Sequence, residues 1–210
     1  IDVNIFTQEM IDMEEGQQVH SIFDTLGVSV AEMRDRSVFS VFRRRFPWLL
    51  ATIASGTICA LLVGLFEATL AQSLMLAFFL TLVLGLGESV AMQTMAITVH
   101  FMHHTTSRSG WYWSALVREM TRTFLLAVTC ALIVGGIAAA WRQDFQAAAI
   151  ITGGIFGSLL FACFLGVSVP AFLHRLRLDV RVASGPLTLA LADICTITIY
   201  FSLAFRMLSG

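Results

Sequence analysis

Residues 182–205 have the sequence VASGPLTLALADICTITIYFSLAF, an apolar stretch of 24 residues with one charged side chain, Asp193. A helix of about 20 apolar residues crosses a bilayer, so this segment is long enough to span a membrane. Asp193 is its twelfth residue and is expected close to the bilayer midplane. An aspartate facing lipid at that depth costs about 2.5 to 3.5 kcal/mol on insertion scales. We therefore expect the carboxyl group to face protein, water or a cation.

The rest of the chain has the same apolar character. Of its 210 residues 57% are hydrophobic and 13% are charged, whereas soluble domains carry about a quarter charged residues. Four more long apolar stretches are present, at residues 46–66, 68–101, 123–141 and 145–173. The sequence predicts an all-α membrane protein with five transmembrane helices in residues 43–210. We expect residues 68–101 to form one long helix that is broken near Gly85 and Gly87.

The distribution of charge predicts the topology. With the N-terminus in the cytosol, 11 of the 13 arginines fall on the cytosolic side, and only Arg142 and Arg206 lie outside. This is the partition expected from the excess of positive charge in cytosolic loops. Residues 1–40 hold eight of the 14 acidic residues. We predict a multi-pass protein of the cell (plasma or inner) membrane, with residues 1–42 forming a cytosolic amphipathic connecting helix and linker.

A second carboxylate lies in the second apolar stretch, at Glu88, and is followed by the hydroxyl of Ser89. Thr196 shares a helical face with Asp193 in the last stretch. Carboxylates on two helices can form a cation path, while a protonated carboxyl bonded to a neighbouring helix is the structural alternative. Magnesium prefers oxygen ligands, keeps several waters and takes one or two carboxylates. Sparse acids of this kind favour a hydrated divalent cation.

Softer ligands are also present in the second apolar stretch and just after it. They are Met92, Met95, His100, His103 and His104. Thioether and imidazole groups suit transition metals, so a carrier for manganese or zinc is an alternative function.

Residues 179–193, DVRVASGPLTLALAD, and the following Ile199-Tyr200-Phe201 resemble the last-helix signature of the MgtE-type magnesium channels and transporters. Three shorter segments agree with that family in order. They are RFPWLL at 45–50, GLFE at 64–67 and REM at 118–120.

The resemblance implies a homodimeric divalent-cation channel with five helices in each subunit. The pore would lie at the subunit interface, lined by the second and fifth helices. Asp193 matches the family's pore aspartate, which holds a largely hydrated magnesium ion, and Asp179 matches an acid near the cytosolic mouth. Residues 1–42 correspond to the helix that joins the pore to cytosolic magnesium-sensing domains.

The second helix departs from the family pattern. The family usually has GGNAGTQS where residues 87–94 are GESVAMQT, so Glu88 replaces a glycine and Ser89 an asparagine. An added carboxylate raises the local negative potential and favours tighter, less hydrated binding of a cation.

The predicted function is transport of a divalent cation, magnesium before others, through a channel or a coupled carrier. The candidate metal-binding residues are Asp193, Glu88, Ser89, Asp179 and Thr196. The alternatives are the transition-metal carrier and a non-transporting membrane scaffold or sensor. No enzyme is expected, because no nucleophile and base occur in a catalytic constellation. The expected partners are a second copy of the chain, the lipid bilayer and divalent cations, with no nucleic acid.

Overall fold

The computed structural model describes residues 38–104, 111–176 and 180–208, and within these segments the secondary structure is helical, without strands. The helices are α1 (Val38–Leu65), α2 (Glu67–Gln72), α3 (Leu74–His104), α4 (Trp111–Arg142), α5 (Phe145–Arg175) and α6 (Val180–Leu208). The all-α prediction is confirmed for the described residues. The predicted leader helix lies outside them, apart from residues 38–42 at the start of α1.

Four of these helices contain segments long and apolar enough to cross a membrane. The segments are Leu74–Met102, Trp111–Trp141, Phe145–Arg175 and Ser184–Leu208. The multi-pass prediction is therefore confirmed. Helix α1 contributes a shorter apolar segment, Leu49–Leu65, so the fifth crossing stays a prediction.

The predicted helix break near Gly85 and Gly87 is wrong. Helix α3 runs without interruption from Leu74 to His104, and the interruption falls earlier, at Ser73, where φ is −140° and ψ is 94°. Glycine weakens a helix by about 1 kcal/mol but keeps its backbone N–H donor, so a glycine within a packed helix need not break it. Gly87 instead permits a close contact between helices, because a Cβ atom there would lie 3.0 Å from Thr196 Oγ1.

Helix α5 is the centre of the packing, since it contacts α3, α4 and α6. Its glycines set the distances to two of these neighbours. A Cβ atom on Gly166 would lie 2.8 Å from the Ala91 carbonyl oxygen of α3. A Cβ atom on Gly154 would lie 2.5 Å from the Tyr200 ring of α6. Small residues of this kind let membrane helices approach closely.

Tyr200 links α6 to α3 as well as to α5. Its side chain is fully buried, and its hydroxyl donates a hydrogen bond of 3.1 Å to the Leu76 carbonyl oxygen. A buried hydroxyl needs such a partner, since leaving it unpaired costs about 1 to 3 kcal/mol. This hydrogen bond fixes the position of α6 along its axis relative to α3. Helix α1 packs against α6.

The close approach at Gly166 gives a test of this packing. We expect Gly166→Ala to lower thermal stability by about 1 to 3 kcal/mol, the usual cost of overpacking a core. The new methyl group would meet the backbone of α3, which cannot move as a flexible side chain can. The measurement is the midpoint of thermal unfolding of the purified protein in detergent.

Gly136→Ala is the matched control for this substitution. Gly136 is exposed on α4, and a Cβ atom there meets nothing within 4 Å. Its unfolding midpoint should not fall. Equal midpoints for the two variants would contradict the close contact between α3 and α5.

Candidate functional site

Helices α3 and α6 bring the carboxyl groups of Glu88 and Asp193 together. The two groups are near enough to be coupled by charge and, when one of them carries a proton, by a hydrogen bond. Asp193 lies near the middle of α6, and Glu88 lies near the middle of α3. Two negative charges at this distance repel each other strongly in a medium of low polarity. The pair is therefore unfavourable unless a proton or a cation lies beside it.

One oxygen of Asp193 is buried without a hydrogen-bond partner. No hydrogen bond reaches its Oδ1 atom from any residue that the structure describes. An unsatisfied polar group in the interior costs free energy, and a charged one costs more. Such an orphaned carboxylate oxygen is suited to receive a bound water or a metal ion.

Thr196 lies one helical turn from Asp193 and is 2% exposed. It packs against the backbone of α3 at Gly87, the residue before Glu88. Glycine at this position removes the side chain that would otherwise separate α3 from α6. The contact therefore places the hydroxyl of Thr196 beside the segment of α3 that carries Glu88.

The remaining predicted ligands are less tightly placed. The Ser89 hydroxyl is exposed and donates a hydrogen bond of 2.8 Å to the Gly85 carbonyl oxygen within α3. Its oxygen lone pairs can still accept a hydrogen bond from a hydrated ion. Asp179 lies outside the described residues. The site is thus built from the Glu88 and Asp193 carboxyl groups with Thr196 alongside.

Cys59 of α1 is a neighbour of Asp193 that is not among the predicted site residues. Its thiol lies close enough to Asp193 to interact electrostatically, and its side chain is buried. In the sequence Cys59 is one small residue of an apolar stretch, so no local pattern indicated this position. This proximity depends on how α1 packs against α6.

The predicted soft ligands His103 and His104 lie outside the side chains that the structure describes. Met95 is 1% exposed within the core, while His100 is exposed. Among the described residues no group of three or more histidine, cysteine, aspartate or glutamate side chains could hold a metal ion. The donors that the structure does bring together are carboxyl and hydroxyl oxygens, which suit hard divalent cations.

The sequence profile of the MgtE family, described as a divalent cation transporter, matches residues 80–203, more than half of the chain. The chain belongs to the MgtE family. The matched region includes both Glu88 and Asp193, so the carboxyl pair lies within the part that carries the family resemblance. The protein is accordingly a multi-pass membrane protein of a transporter family.

Curated relatives support this assignment at low identity. The chain is similar to proteins named magnesium transporter MgtE from three bacteria. It is 26% identical over 170 residues to that of Bacillus subtilis, covering 81% of this chain and 38% of the relative. The protein of Enterococcus faecalis is 21% identical over 200 residues, which is 95% of this chain and 44% of the relative. That of Thermus thermophilus is 22% identical over 209 residues, or 98% of this chain and 46% of the relative.

The chain therefore spans less than half the length of the curated MgtE relatives that it matches. The three matches cover most of this chain at 21–26% identity. These identities are consistent with a divergent member of the MgtE family.

The contact between Gly87 and Thr196 can be tested by a disulfide bond. We expect the double variant Gly87→Cys, Thr196→Cys to form one under mild oxidation, in a background where the four native cysteines are replaced by serine or alanine. A Cβ atom on Gly87 would lie 3.0 Å from Thr196 Oγ1 and 4.0 Å from its Cγ2. These distances are compatible with the Cβ separation of about 3.5 to 4.5 Å that a disulfide needs. The readout is the mass of a peptide that joins α3 to α6.

Gly85→Cys, Thr196→Cys is the control pair for this cross-link. A Cβ atom on Gly85 meets nothing within 4 Å. This pair should stay reduced under the same conditions. Equal cross-linking of the two pairs would show that α3 and α6 do not hold the described register.

Proposed function

We propose that this MgtE-family protein moves a divalent cation, with magnesium as the preferred ion, through a polar path lined by α3 and α6. The observation that carries the proposal is the buried, unpartnered Oδ1 atom of Asp193 beside the carboxyl group of Glu88. Two ionised carboxylates in the middle of apolar helices require a positive counter-charge. A divalent cation neutralises both of them at once.

The oxygen chemistry of the site favours a hydrated hard ion. Magnesium demands near-octahedral geometry and gives up its water reluctantly, so it usually binds through one or two carboxylates and several waters. Asp193 and Glu88 would supply the charge, and the hydroxyls of Thr196 and Ser89 would hydrogen-bond to the waters of the ion. Asp179 is proposed as an acid at the cytosolic mouth, from the family resemblance alone.

A second copy of the chain completes the path in this proposal. Glu88 and Ser89 are exposed in the single chain, although they lie near the middle of a membrane-spanning helix. A carboxylate and a hydroxyl at that depth are expensive to leave against lipid. A homodimer in which α3 and α6 of each subunit face the partner would replace the lipid by an aqueous pore.

The topology of the proposal has five crossings for each subunit and a cytosolic N-terminus. The apolar segment Leu49–Leu65 of α1 supplies the first crossing, and the arginine distribution supplies the orientation. The curated MgtE relatives are more than twice as long as this chain. In this proposal residues 1–42 join the pore to the cytosolic magnesium-sensing domains that the family resemblance implies.

Substitution of Asp193 tests the function directly. We expect Asp193→Ala to abolish divalent-cation flux, because the ion loses the carboxylate that is most buried on its path. The measurement is uptake of magnesium into proteoliposomes loaded with a magnesium-sensitive dye. Size-exclusion chromatography with mass determination checks that the variant remains a folded dimer.

Asp144→Asn is the matched control for Asp193. Asp144 caps the N-terminus of α5 by accepting a hydrogen bond of 3.0 Å from the Ala147 backbone N–H. Asparagine caps a helix about as well as aspartate, so this variant loses a carboxylate and keeps the fold. Its flux should match that of the unmodified protein. Unchanged flux in Asp193→Ala would refute the role of Asp193, and absence of flux in the unmodified protein would favour a scaffold or sensor.

We expect Glu88 to determine which divalent cation is preferred, and transport to continue without it. A second carboxylate favours direct coordination of a cation that sheds water more readily than magnesium does. We therefore expect Glu88→Gly to lower manganese uptake relative to magnesium uptake by several fold. The measurement is competition between the two ions for uptake into proteoliposomes.

Glu67→Gln is the control for Glu88. Glu67 is exposed in the first turn of α2, away from the carboxyl pair. Its removal should leave the ratio of manganese to magnesium uptake unchanged. If Glu88→Gly also leaves this ratio unchanged, Glu88 has a structural role only.

A further inference from the structure

A second cluster of charges lies near the start of α4, away from the carboxyl pair. Glu119 accepts hydrogen bonds of 2.9 Å from Arg122 Nη1 and 3.4 Å from Arg118 Nε. The Glu119 side chain is 6% exposed, whereas those of Arg118 and Arg122 are 43% and 62% exposed. The carboxylate therefore points into the protein, and both guanidinium groups lie at its outer surface.

The depth of this cluster follows from the length of α4. Trp141 is 61% exposed near the other end of the helix, and tryptophan is enriched at the membrane interface. Arg122 precedes Trp141 by 19 residues, or about 28 Å at ~1.5 Å per residue. The hydrocarbon layer is about 30 Å thick. With Trp141 at one interface, Arg122 lies at the opposite one and Arg118 lies one turn further into the headgroup layer.

The arginines share a helical face with apolar side chains that nothing in the described chain covers. Leu125 and Leu132 follow Arg118 and Arg122 at helical spacing and are 70% and 66% exposed. The main partner of α4 is α5 on its other side. The face that carries the two guanidinium groups is therefore the face that meets lipid.

The cluster has an unbalanced positive charge and a fixed geometry. Two guanidinium groups share one carboxylate, and Glu119 is the only acid paired with them among the described residues. Arg118 is also held over the Phe101 ring, with its Cζ atom 5.4 Å from the ring centroid. These contacts hold both arginines in place, and guanidinium groups match the geometry of phosphate oxygens.

We infer that Arg118 and Arg122 form a binding site for the phosphate of an anionic phospholipid in the adjacent leaflet. The net charge of the cluster complements an anionic headgroup, while Leu125 and Leu132 lie along the path of the acyl chains. Glu119 is a positioning residue, because it orients the guanidinium groups without touching the lipid. The site does not depend on the proposed transport function.

Native mass spectrometry of the full chain tests the site. The protein is mixed in detergent with phosphatidylglycerol or with phosphatidylcholine, and the lipid that stays bound after the detergent is removed is measured. The unmodified protein should retain phosphatidylglycerol in preference to phosphatidylcholine. An arginine near a membrane surface contributes about 1 kcal/mol of attraction to anionic lipid, so Arg118→Gln should weaken phosphatidylglycerol binding about fivefold. The double variant Arg118→Gln, Arg122→Gln should lose the preference.

Two further variants keep the test decisive. Arg118→Gln leaves the shorter contact between Arg122 and Glu119 intact, so it remains informative if the double variant does not fold. Arg206→Gln removes an exposed arginine at the far end of α6 and should leave lipid retention unchanged. Equal phosphatidylglycerol retention in Arg118→Gln and the unmodified protein would overturn the site. Displacement of the lipid by equimolar inorganic phosphate would also overturn it. So would a variant that loses the mass of a second subunit and not the mass of a lipid.

Discussion

Two carboxyl groups held side by side in the middle of apolar helices are the constraint around which this protein is arranged. Two ionised carboxylates side by side repel each other, and Asp193 Oδ1 has no hydrogen bond from the described residues to compensate for its burial. Close-packed apolar side chains could fill this position at lower cost. Retaining the pair is therefore reasonable where a cation occupies the site for part of the time.

The register between α3 and α6 depends on contacts far from the carboxyl groups. Gly154 of α5 leaves room for the Tyr200 ring, and the Tyr200 hydroxyl bonds to the backbone of α3 at Leu76. Gly87 then lets α3 approach Thr196. A register shift of one residue would rotate Asp193 by about 100° around the α6 axis and separate it from Glu88. The packing of α5 against α3 and α6 is therefore needed to bring the two carboxyl groups together.

The buried carboxylate of Glu119 has a different environment from the carboxyl pair of Asp193 and Glu88. Glu119 is buried, but it lies beside two partly exposed arginines, so its charge is compensated within the protein. Glu119 is not among the predicted metal ligands, and the two arginines supply its positive counter-charge without an ion. Compensated and uncompensated carboxylates therefore indicate different roles, and the difference is visible only from their surroundings.

Several features could be predicted from the sequence because they depend on local composition. The length and polarity of the apolar stretches indicated the helices, and a charge within an apolar stretch marked Asp193 and Glu88 as candidates. The predicted break at Gly85 and Gly87 was wrong, because whether a glycine bends a helix or admits a neighbour depends on what packs against it. The nearness of Cys59 to Asp193 likewise had no local signal.

The amino-acid sequence by itself determined which segments are apolar enough to enter a membrane and which side chains are costly there, since both follow from the free energy of transfer of each residue. Only the tertiary structure decided that the carboxyl groups on α3 and α6 meet, that Gly87 lies against Thr196, and that one oxygen of Asp193 stays unpaired. These facts depend on contacts between residues far apart in the chain. No local pattern encodes them, because helix packing is set by the shapes of several surfaces at once.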